Sequence, residues 1–186
     1  MNYQTLKDSR LFMSMKKVVV KYINIMDNDL GILTTKEASL YLKKKYIGKW
    51  NLNKKNKPIK DGVYFNISHS HDMIIFAQAQ SDIGVDVEKV RQADDKLKRY
   101  VSNDEEFKTI NSNEDFFKVW ISKESLVKAQ GTGIDKRPEN IPALPLIGVK
   151  EYNGVKYTSN QVKLGDYIIA VTIMGDEGFD IEVEKE

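Results

Sequence analysis

The 186-residue chain contains no cysteine, which excludes disulfides, thiolate nucleophiles and cysteine-based metal sites. Its only histidines are His69 and His71, so a histidine-rich metal centre is excluded as well. Proline is scarce at four residues, and no segment approaches the ~20 consecutive apolar residues of a membrane span. Val18-Val19-Val20 is too short for a secretory core and Met1 to Ser14 is polar, so we expect no signal peptide and a cytoplasmic protein. There is little net charge of either sign: +2 gives no electrostatic case for nucleic acid, and no basic stripe interleaves with aromatics. What remains, 41% hydrophobic and 30% charged residues, describes a globular protein with enough chain for a sizeable core.

Periodicity gives a mixed order of elements. Strands are expected at about 17–26, 62–68, 73–80, 83–88, 146–151, 154–159 and 166–174, and helices at 35–47, 94–101, 104–111 and 113–130. The Lys/Asn-rich stretch 48–61 reads as a loop, residues 1–14 as either an extension or part of a first element, and Asp176 to Glu186 as a frayed acidic tail. The longest helix has clear ends: Ser112 with Asp115 three residues on resembles a capping box, and Gly131 and Gly133 stop it. Each half offers a helix followed by strands, so the expected fold is α+β; this order is what two similar lobes (1–88 and 89–186) with a cleft between them would show, although the length also suits one domain and no residue-level repeat is evident.

Two stretches carry chemistry. Along the strand Ile83-Gly84-Val85-Asp86-Val87-Glu88, alternation sends Val85 and Val87 to the core and projects Asp86 and Glu88 together on the other face. Two adjacent carboxylates repel unless a proton or cation lies between them, and hard oxygen ligands suit Mg²⁺. For an isolated Asp-x-Glu pair, a solvated edge is the commoner explanation. On the helix, Trp120, Glu124 and Lys128 succeed one another at one-turn intervals on a stripe that includes Phe116, Phe117 and Val127. A carboxylate drawn toward an apolar stripe needs a partner, although a Glu-to-Lys pair at that spacing also occurs on solvated faces. Ser68 and His69 follow the strand Val63 to Ile67, where they would face an anion; His71 reads as a surface residue, and Lys57-Pro58 adds a nearby cation.

Taken together, Lys57-Pro58, Asn66-x-Ser68-His69-Ser70, Gly84-x-Asp86-x-Glu88 and Trp120-x-x-Lys123-Glu124-Ser125-x-x-Lys128 resemble, in order and spacing, the motifs of the two-lobed 4′-phosphopantetheinyl transferases. The resemblance implies a two-lobed α+β fold with pseudo-twofold symmetry. The implied reaction moves phosphopantetheine from coenzyme A to a serine of an apo acyl or peptidyl carrier protein and leaves 3′,5′-ADP. It further implies that Asp86, Glu88 and Glu124 hold Mg²⁺, or Mn²⁺ in its place, and that Glu124 deprotonates the serine. Lys128 would contact the pyrophosphate, Ser68 and His69 the coenzyme A phosphates, and Lys57 the adenine end. Ile121 stands where the family usually has a small polar residue or cysteine, and the first lobe is short; Lys43, Lys44 and Lys45 would be the substitutes to meet a 3′-phosphate, although at least two of them read better as the solvated face of their helix. With two lobes in one chain a monomer is expected. Two other readings stay open: a coenzyme A binding module with weak or no transfer, and a metal-dependent hydrolase using His69, His71, Asp86 and Glu88.

Overall fold

The computed structural model describes residues 16–53, 58–134 and 137–186. In chain order the elements are β1 (Lys16–Asn24), α1 (Thr35–Tyr46), β2 (Asn51–Leu52), β3 (Pro58–Ile59), β4 (Tyr64–Ser70), β5 (Met73–Ala79) and β6 (Ile83–Lys89). There follow α2 (Asp95–Val101), α3 (Asp104–Thr109), α4 (Asn113–Gln130), a 3₁₀ turn (Pro138–Asn140), β7 (Gly148–Tyr152), β8 (Val155–Leu164), β9 (Tyr167–Met174) and β10 (Phe179–Lys185).

The strands form two four-stranded sheets, ordered β10-β1-β5-β4 and β6-β9-β8-β7, beside a two-stranded ribbon of β2 and β3. Strand alternation builds the layers. Met73, Ile75 and Ala77 of β5 pack with Val85 and Val87 of β6 and with Ile169 and Val171 of β9, so the inner faces of the sheets meet in one core. Ile74 and Phe76 face the other way, where Ala38 and Leu42 of α1 cover them. Ile168 and Ala170 likewise face outward against Phe116, Phe117 and Ile121 of α4. The α+β expectation stands, each four-stranded sheet carrying one long helix.

Sheet membership does not follow chain order. β6 belongs to the second sheet through its antiparallel pairing with β9, and β10 belongs to the first through its parallel pairing with β1.

The expected loop 48–61 contains the ribbon strands β2 and β3, a small correction. The larger correction is the frayed acidic tail. Phe179, Ile181 and Val183 alternate into the core between the sheets, while the intervening acids meet lysines on β1 and α1: Glu182 pairs with Lys17, Glu184 with Lys21, and Glu186 with Lys45. Glu186 also accepts from the Tyr46 hydroxyl, and its backbone N–H donates to Tyr22 O. With these acids paired, the segment is an ordered edge strand of the first sheet.

Candidate active site at the seam between the sheets

β4 and β6 are edge strands of different sheets, yet they lie side by side, and the two motifs they carry interlock. Asn66 Oδ1 accepts from Val85 N at 3.1 Å, Ser68 Oγ donates to Asp86 Oδ1 at 2.7 Å, and Ser70 Oγ donates to Glu88 Oε2 at 2.7 Å. The Ser70 hydroxyl also accepts from Lys89 N at 3.3 Å. Asn66, Ser68 and Ser70, at alternate positions of β4, thus each reach a backbone or carboxylate group of β6, joining edges that share no ladder. The roles of Asn66 and Ser70 escaped the sequence reading, because period-2 spacing signals a shared face but not what that face meets.

α4 completes the site. Ser112 caps its N-terminus, its hydroxyl accepting from Asp115 N at 3.1 Å, and Gly131 closes it in the left-handed conformation at φ 77°. Its approach to β6 is set by Gly84: a Cβ there would fall 1.9 Å from Ser125 O and 2.4 Å from Ala129 N. Only a strand backbone without a side chain lets the helix settle so close. Lys128 then reaches across, donating to Asp86 Oδ1 at 2.6 Å and to Ser68 Oγ at 2.9 Å.

Asp86 is 5% exposed, and burial pushes its carboxyl above the ordinary range, with the Lys128 ammonium and the Ser68 hydroxyl pulling against that. Glu88 also accepts from Arg91 at 2.8 Å. Glu124 differs from both: its half-buried carboxylate has no hydrogen bond or ion pair among the described residues. Burial first, then the charges of Asp86 and Glu88, raise it to about 7 despite Lys128. Three acids with one unpaired carboxylate in a poorly solvated place make a donor set suited to a divalent cation. Among the described residues no group of three acids or histidines stands as a ready ligand cluster, and Lys128 rests on Asp86.

Beside Lys128 opens a cleft of about 420 Å³, lined by Pro58, Phe65, Asn66, Ile67, Val127 and the glycines at 131 and 133, among others. Ser68, Asp86, Glu88, Glu124 and Lys128 are therefore brought together. His69 is not: it is exposed on the β4 face opposite Ser68 and Ser70, which leaves the hydrolase reading without its paired ligand. Its partner histidine sits in the β4–β5 turn, where His71 Nδ1 is 3.1 Å from Ser70 Oγ. Lys57 lies outside the described residues. On α1, Lys45 pairs with Glu186 and Lys43 lies over the Trp50 ring, while Lys44 is exposed.

Comparisons with known proteins agree with the motifs. Residues 82–172 match the model of the 4′-phosphopantetheinyl transferase superfamily. The chain is also similar to the 4′-phosphopantetheinyl transferase gsp of Aneurinibacillus migulanus, at 28% identity over 135 residues, covering 64% of this chain and 55% of the relative. The chain thus spans about half the length of the curated relative that it matches. The superfamily named from the motifs is the one that both comparisons return.

Proposed function

We propose that this chain, similar to the 4′-phosphopantetheinyl transferase superfamily over residues 82–172, transfers phosphopantetheine from coenzyme A to a serine of an apo acyl or peptidyl carrier protein. The observation that carries the reading is Glu124, an unpaired half-buried carboxylate raised to about 7 beside Asp86 and Glu88, with Lys128 one turn on. A base poised near neutrality and a cation aimed at the same seam are what attack by a hydroxyl on a phosphoanhydride needs.

The serine oxygen attacks the β-phosphorus of coenzyme A while its proton passes to Glu124, directly or through one water. A new O–P bond forms, the bond to the nucleotide breaks, and 3′,5′-ADP carries away the electron pair. Lys128, seated on Asp86 and Ser68 in the free chain, turns to the pyrophosphate and stabilises charge on the leaving group. A divalent cation, Mg²⁺ or Mn²⁺, would be held by Asp86, Glu88 and Glu124 and would neutralise the pyrophosphate. Ser68 then contacts phosphate, and the cleft beside Lys128 receives the nucleotide. The cluster draws on one chain, so a monomer suffices, and a cytoplasmic setting goes with this pair of substrates.

The reading is tested by chromatography of nucleotides after incubating the protein with Mg²⁺, coenzyme A and apo carrier proteins. Release of 3′,5′-ADP that requires a carrier and stops with chelator supports it. Binding of coenzyme A with no release on any carrier would replace it with the binding-module reading.

A further inference from the structure

The face of α4 turned away from the acids is also charged, and it is drier. Lys123 is fully buried and Glu106 of α3 is 1% exposed. Lys123 Nζ stands 2.6 Å from Glu106 Oε2 and donates to the carbonyls of Pro138 at 3.1 Å and Ile141 at 2.5 Å. Its three protons therefore have three acceptors. Glu106 in turn accepts from Asn103 N at 3.0 Å and Ala143 N at 2.8 Å. One ammonium and one carboxylate thus join α3, α4 and the segment 138–143 with every strong donor paired.

A buried pair of this kind adds little stability over apolar residues of the same volume, so its use lies in the arrangement it holds. Lys123 immediately precedes Glu124, and neighbours on a helix point ~100° apart. Rotation of α4 that would free Lys123 from the carbonyls of Pro138 and Ile141 is the same rotation that would swing Glu124 and Lys128 off β6. Displacements of about 1 Å at such groups cost rate heavily.

We propose that Lys123, anchored on the carbonyls of Pro138 and Ile141 with Glu106 as its counter-charge, is a positioning residue that sets the rotation of α4 and so the placement of Glu124 and Lys128 against Asp86 and Glu88. The proposal rests on the transferase reading above.

A merely structural pair would make catalytic loss follow stability loss; a positioning pair separates them. Glu106→Gln keeps the acceptor for Ala143 N and both carbonyl bonds of Lys123 but strands a buried ammonium. It should lower the melting temperature most while keeping kcat within about threefold. Lys123→Met combined with Glu106→Gln removes both charges. It should melt close to wild type, yet lose about tenfold or more in kcat with KM for coenzyme A within about threefold.

Both variants are to be measured as full chains by calorimetry, by transfer kinetics, and by Mn²⁺ titration followed by electron paramagnetic resonance, where the double variant should weaken binding about tenfold. If the wild type transfers nothing, the transferase reading fails and the Mn²⁺ arm judges the positioning role alone. Wild-type kcat and Mn²⁺ affinity in the double variant would overturn the proposal. So would kcat losses ranked as the melting temperatures are, or a double variant that does not fold.

Discussion

Gly84 and Ser125 touch backbone to backbone: a Cβ on Gly84 would lie 1.9 Å from the Ser125 carbonyl oxygen, beneath the turn of α4 that carries Glu124. The nearest atoms are helix backbone rather than the end of a flexible side chain, so an added methyl has nowhere to go without moving the helix. Gly84→Ala should destabilise the protein by about 1–3 kcal/mol and lower transfer by at least about tenfold, because Glu124 and Lys128 retreat from Asp86. Thermal unfolding and kinetics on the same preparation check it; unaltered kcat would show that the close contact does not place the site.

Glu124 gives a signed pH dependence. Its folded value, about 7, lies above its ordinary 4.5, so the folded protein holds an extra proton between those values. The resulting cost is absent below pH 4.5 and complete above pH 7. In metal-free buffer Glu124→Gln should therefore stabilise the protein by about 1–3 kcal/mol at pH 8 and by almost nothing at pH 4. Equal effects at both pH values would contradict the burial and charge argument.

Lys150 of β7 makes the converse case. It is 5% exposed, donates to Ser122 Oγ at 2.7 Å and Ala143 O at 2.5 Å, and burial lowers it to about 7 from 10.5. The unfolded chain binds more protons between those values, so stability rises with pH from about 7 to 10.5 and the penalty is complete below 7. Ser122 already donates to Ala143 O at 2.9 Å, so removing the amine orphans no strong donor. Lys150→Met should raise stability by about 1–3 kcal/mol at pH 6, an advantage that fades toward pH 10, measurable by denaturant titration.

β10 separates packing from charge. Its Lys17–Glu182 ion pair is exposed, as is the Lys16–Glu177 pair just before it, whereas Phe179 is 5% exposed in the core between the sheets. Phe179→Ala should cost about 3–5 kcal/mol, while Glu182→Gln should change stability by less than about 1 kcal/mol. A larger effect from Glu182 would mean that charge, not burial, holds this strand.

How far the chain can be read without a structure follows from where its signals are local. α4 was readable to its ends because Ser112 and Gly131 act on their own neighbours, and the facing of Asp86 and Glu88 followed from alternation along one strand. β10 was misread because its acids suggest solvation, and the lysines that offset them lie more than a hundred residues away on β1 and α1. Lys123 and Lys150 look like surface charges for the same reason: Glu106, Ala143 and Ile141 become their partners only through tertiary structure. The motif on β4 was visible as a pattern, but the reason for Asn66, Ser68 and Ser70 at alternate positions appears only when the β6 edge arrives beside them.

The central claim is that this seam of acids and Lys128 moves phosphopantetheine, and intact-mass spectrometry of the acceptor tests it most directly. Apo carrier proteins would be incubated with coenzyme A and Mg²⁺ and with the wild type, Glu124→Gln or Asp86→Ala. The account predicts a phosphopantetheine mass gain on at least one carrier with the wild type, and a rate reduced at least about a hundredfold by either substitution. An unmodified carrier panel, or a gain that survives both substitutions, would contradict it.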